Sequence, residues 1–107
     1  MTRVILSIVF AFALVAPAAG KDWTEQPVKA RFQTSKLAGP TVQCLIERLG
    51  WLANPSAGPE IDGMTKIQFS SFGHAVSEIR VMSGKSVMLE LRGVSGGRVR
   101  RSVQSCL

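Results

Sequence analysis

Three groups of residues in this 107-residue chain have the types and spacing to do chemistry. His74 lies close in sequence to Ser70, Ser71 and Asp62, which together supply the residue types of a nucleophile, its base and an orienting carboxylate. Cys44 and Cys106 are the two cysteines of the chain. The third group is Gly93-Val94-Ser95-Gly96-Gly97, which runs directly into Arg98, Arg100 and Arg101. A glycine-rich loop that opens a helix presents free backbone N–H groups to an anion, and adjacent arginines add positive charge and forked donors.

Each group also has a simpler reading. No glycine pattern of a nucleophile elbow surrounds Ser70, and Asp62 falls in a loop whose path the sequence does not define. A small hydrolase using His74 and Ser70 is therefore the alternative, and catalysis is not expected. One histidine, two cysteines and scattered carboxylates supply no spaced ligand set, so neither a metal nor another cofactor is expected. The glycine-rich stretch lacks the Gly-Lys-Ser/Thr ending of a phosphate-binding P-loop. Gly96, Gly97, Arg98, Arg100 and Arg101 remain as a candidate anion-binding set. Arg98 and Arg101 share a helical face, whereas Arg100 lies about 100° around the helix from Arg101, which suits an extended polyanion better than a compact ligand.

The elements that must position these residues begin after an N-terminal leader. Met1-Thr2-Arg3 is basic, Val4 to Val15 is uncharged and apolar, and Ala16-Pro17-Ala18-Ala19-Gly20 is small, the three-part form of a signal peptide over residues 1–18. The charge-free stretch of about 17 residues ends in Pro and Gly, short of the ~20 residues of a membrane span. Once cleaved, the chain keeps no spanning segment. It keeps twelve of its thirteen basic side chains against seven acidic ones, and this surplus favours anionic partners. In an oxidising compartment Cys44 and Cys106 read as one disulfide. Asn54-Pro55-Ser56 is no glycosylation acceptor, because Pro holds its middle position.

Residues 19–36 read as a mobile segment with a possible short strand over 28–32. Residues 37–107 read as a single α+β domain. Gly39-Pro40 suits a helix start, and Val42, Leu45, Ile46, Leu49 and Leu52 follow at helical spacing, which predicts a helix over about 40–53 and a loop over 54–63. Three strands come next, with an inward apolar set at odd positions: Ile67 and Phe69, then Ala75, Ile79 and Val81, then Val87, Leu89 and Leu91. Odd must pair with odd. A three-residue loop Ser71-Phe72-Gly73 satisfies that rule, sets Lys66 against Glu78 and sets Ser70 against His74. A loop of Gly84-Lys85-Ser86 pairs Arg80 with Glu90 and Glu78 with Arg92, which makes the outer sheet face self-neutralising. Val99, Val103, Cys106 and Leu107 then share one face of a final helix. The expected architecture is a small two-layer domain, a three-stranded antiparallel meander packed on two helices in the order α-β-β-β-α, stapled by one disulfide. Trp23 and Trp51 serve either as partner anchors or as edges of the core.

The function this predicts is that of an exported, non-enzymatic binding module, periplasmic or secreted, for an anionic envelope component or an acidic protein. Nucleic acid is not an expected partner, since the chain has a leader and its basic stretches lack interleaved aromatics. Protein isolated from the native host is expected to begin at Ala19 or Lys21. N-terminal sequencing that starts at Met1 or Thr2 would refute cleavage.

Overall fold

The apolar alternation of the strands and the helical stripe at Leu45 and Leu49 must share one buried layer, and the fold is the arrangement that achieves this. The computed structural model describes residues 26–107; the leader, its cleavage site and Trp23 lie outside that range. Within it, the order is β1 (Ala30–Thr34), α1 (Ala38–Arg48), β2 (Asn54–Ala57), β3 (Met64–Ser71), β4 (His74–Met82), β5 (Val87–Gly93) and α2 (Gly97–Gln104). The strands form one five-stranded sheet in the order β1-β5-β4-β3-β2, with every neighbouring pair antiparallel.

The sheet has five strands where the apolar pattern predicts three. The meander β3-β4-β5 is its centre, and one strand is added at each edge. β1 takes up the weak strand signal near residue 30 and pairs with β5, from Ala30 opposite Leu91 to Thr34 opposite Val87. β2 occupies what reads as a proline-rich loop. Pro55 is tolerated there because β2 is an edge strand, where an absent N–H need not break a ladder. Strand pairing decided by the neighbouring chain overrides the local turn signal.

α1 also differs from expectation at both ends. It starts at Ala38 with Leu37 as its cap, so Pro40 is the third helical residue, and the first helical bond runs from the Thr41 N–H to the Leu37 carbonyl at 3.2 Å. The first N–H groups of a helix have no internal partner, so proline costs nothing at that position. The helix ends at Arg48, and Leu49 caps it before a tight turn through Leu52.

The core lies between the sheet and both helices. Ile67, Phe69, Ile79, Val81, Val87, Leu89 and Leu91 from the sheet meet Leu45, Leu49, Val99, Val103 and Cys106, and all are buried. Each large apolar side chain so placed contributes about 1.5–3 kcal/mol relative to exposure.

Odd-with-odd pairing holds, but by a different device from the expected three-residue loop. The β3–β4 connection is a two-residue turn, Phe72 at φ 52° and Gly73 at φ 78°, with Ser71 opposite His74. Alone, that turn would pair odd with even and expose one strand's apolar set. A β-bulge corrects it. Ser70 faces Ala75 and Phe69 faces Ser77, so Val76 has no opposite residue and packs against the core instead. Beyond the bulge Ile67 faces Ile79 and Thr65 faces Val81. Lys66 therefore faces Arg80, not Glu78, and Ser70 faces Ala75, not His74.

The second hairpin pairs Arg80 with Glu90 and Glu78 with Arg92. Its ion pairs nevertheless close along strands as well as across them: Arg80 bonds Glu78, Arg92 bonds Glu90 at 2.9 Å, and Arg31 of β1 reaches Glu90 at 3.5 Å. Gln68 donates to the buried Glu78 at 3.4 Å.

Cys44 and Cys106 form a disulfide with Cα atoms 5.7 Å apart, within the usual span of about 4.4–6.8 Å. It closes a separation of 62 residues and joins α1 to the chain just beyond α2. In the chain-entropy model that closure is worth about 4 kcal/mol. Cys106→Ser is expected to lower the unfolding free energy by about 2–5 kcal/mol, as read from urea titrations of the variant beside the oxidised wild type. Equal midpoints would show that the crosslink is not a source of stability.

Candidate functional site

The two helices meet the sheet on one face and leave a groove between them at one end of the molecule. β3 finishes at that end, since Asn54, just after α1, pairs with Ser70. β5 finishes there too, since Gly93, just before α2, pairs with Ser77. α1 therefore arrives where α2 begins. Arg48 lies four residues after Cys44, on the same helical face, so the disulfide sits one turn below the groove.

The groove is a shallow depression of about 350 Å³ lined by Arg48 and Trp51 from the first side and Arg98, Arg101, Ser102 and Ser105 from the second. The Trp51 indole N–H donates to the Ser102 hydroxyl at 3.3 Å. The guanidinium carbon of Arg98 lies 3.9 Å from the indole centroid, a cation–π contact. These two contacts fix the ring across the gap between the helices.

The charge here is uncompensated. Among the described residues no carboxylate pairs with Arg48, Arg98 or Arg101; the ion pairs all lie on the outer sheet face. α2 has no acidic residue in its first turn, Gly96 caps it without a side chain, and Arg98 sits where a carboxylate would complement the positive helix end. Arg101 folds back over Gly97, where an added Cβ would come within 3.2 Å of its Nη1. Gly97 thus leaves room for a second guanidinium beside the helix start.

Arg100 points elsewhere. Its Nε donates to the Ser95 carbonyl at 2.9 Å and its Nη2 to the Lys29 carbonyl at 3.1 Å, so it clasps the β5–α2 connection to the segment leading into β1. Of the five residues expected to bind an anion, Arg98, Arg101 and Gly97 come together, with Gly96 as the cap beside them, and Arg100 does not join them. Arg48 completes the groove although no motif singles it out. Its signal was its spacing from Cys44: once Cys44 faces the second helix, so does the residue one turn on.

The residues of the alternative hydrolase are not assembled. His74 is exposed at the β3–β4 turn opposite Ser71, and Ser70 faces Ala75. Asp62 sits in a second turn before β3, at the far end of an eight-residue strand, about 25 Å away along the chain. Among the described residues no three histidine, cysteine or acidic side chains cluster to hold a metal ion. No helix among them is long and apolar enough to cross a membrane. The chain matches no family model and no curated protein.

Arg100 and the groove arginines are separable by stability. Arg100→Gln is expected to cost about 1 kcal/mol through two lost charge-assisted hydrogen bonds, whereas Arg48→Gln is expected to stay within about 0.5 kcal/mol of wild type. Thermal or urea unfolding of the two variants measures this.

Proposed function

We propose that this domain is an exported, non-enzymatic binding module whose interhelical groove receives an anionic group, carried by an envelope component or an acidic protein. One observation carries the reading: Arg48, Arg98 and Arg101 surround a half-exposed indole with no carboxylate partner among the described residues, while the sheet arginines have theirs. Three guanidiniums held together repel one another and are not neutralised by the fold. An anion relieves that repulsion and gains forked hydrogen bonds. The groove is open and shallow, which suits a charged group on a larger partner rather than an enclosed small molecule. The disulfide and the three-part leader support work in an oxidising compartment outside the cytoplasm.

Titration with long-chain polyphosphate tests this directly. Binding is expected to weaken steeply with added salt, because exposed charges are screened over about 8 Å at physiological ionic strength. Replacing Arg48, Arg98 and Arg101 together by Gln is expected to abolish it, with His74→Ala leaving it unchanged. Salt-independent binding, or equal binding by the triple variant, overturns the proposal.

A further inference from the structure

Two turns of this chain share one backbone geometry. Asp62 and Gly63 have φ values of 53° and 77°, and Phe72 and Gly73 have 52° and 78°. Each closes a two-residue connection, between Ile61 and Met64 in one case and between Ser71 and His74 in the other. The first uses Asp-Gly, a pair suited to two successive positive φ angles. The second places phenylalanine where a bulky side chain is strained, and leaves it 98% exposed. Phe72 serves neither the turn nor the core. Local physics alone would put Asn or Asp there.

The position of the turn supplies the second observation. It lies at the end of the sheet where Asn54 meets Ser70 and Gly93 meets Ser77, the same end at which α1 stops and α2 starts. Trp51 and Val94, each exposed beyond two-fifths, are in the chain segments at that end. Arg48 and Arg98 flank the groove there. Leu37 and Ile61, the other exposed large apolar residues described, belong to the opposite end, where Glu60 and Asp62 are balanced by Lys36 and Lys85. One end of the domain thus combines protruding apolar side chains with arginines that have no carboxylate partner among the described residues.

We infer that this end docks on an anionic lipid bilayer, with Phe72 entering the headgroup–acyl boundary and Arg48, Arg98 and Arg101 meeting lipid phosphates. A protein partner would call for a contiguous patch of about 800 Å² on this side, with apolar residues close-packed at its centre. Here the apolar residues are isolated points on turns. An aromatic tip and a half-exposed indole interspersed with arginines match the chemistry of the membrane interface, where aromatic rings sit at headgroup depth and basic side chains meet anionic lipid. This inference rests on the groove reading through its arginines. Phe72 is independent of it.

The test uses sedimentation with vesicles of phosphatidylcholine alone or mixed equally with phosphatidylglycerol, beside polyphosphate titration, on wild type and Phe72→Asn. Asn suits the turn, so this variant is expected to melt at or above the wild-type temperature, which removes misfolding as an explanation. Wild type is expected to bind the anionic vesicles and not the neutral ones. Phe72→Asn is expected to bind them about tenfold more weakly while holding polyphosphate as tightly as before. Equal vesicle binding by Phe72→Asn, or loss of polyphosphate binding along with it, overturns the role of the tip. Wild type that binds polyphosphate but no vesicle overturns the membrane inference, leaves the groove intact and directs attention to an acidic protein. Binding of neither removes both.

Discussion

The crosslink between Cys44 and Cys106 holds two helices whose own contact is slight, and the groove exists because of it. α1 and α2 each bury a stripe against the sheet, Leu45 and Leu49 on one, Val99 and Val103 on the other. Burial fixes each helix to the sheet, yet it says little about the gap between them. The disulfide sets that gap, and one turn away Trp51 spans it by bonding Ser102 and stacking on Arg98. The three guanidiniums therefore stay near one another despite their repulsion.

Charge is sorted between the two faces of the molecule. On the outer sheet face, Glu78 and Glu90 each hold arginines, so part of that face's positive charge is neutralised. The Arg80–Glu78 and Arg92–Glu90 pairs are mostly buried, so each charge there depends on its partner, whereas the exposed Arg31 adds little. Their consequence is distributional. They consume carboxylates on the sheet and leave the helix end positive. Arg48, Arg98 and Arg101 thus form a local excess of positive charge at one end.

Much of this was legible in the residues because burial leaves a periodic trace. The odd-numbered apolar set of the central strands, the stripes at Leu45–Leu49 and Val99–Val103, and the pairing of Arg80 with Glu90 all follow from keeping apolar groups on one face. Of the edge strands, β1 left a weak signal over 28–32 and β2 left none. An edge strand has one neighbour and few buried side chains, so Asn54-Pro55-Ser56-Ala57 carries turn residues and almost no alternation. The bulge at Val76 was invisible for another reason: a two-residue turn plus one extra residue preserves the same parity as a three-residue loop, and parity is all that the pattern reports. At the groove, Arg98 and Arg101 were legible from the loop before them. Arg100 already stood apart by its position around the helix, and its backbone partners show what it does instead.

The placement of β1 beside β5 has a consequence for how the domain is made. The first of the described strands finds its partner in the last, and Cys44 finds its own only at Cys106, 62 residues further on. A ribosome delivers these pieces in order, so neither the β1–β5 pairing nor the crosslink can form before residues 87–106 have been made. Long-range closure of this kind slows folding, because chain entropy is lost before contacts compensate it. Until β5 and Cys106 have emerged, β1 and Cys44 stay without their long-range partners, so whatever handles the nascent chain meets it in an unclosed form.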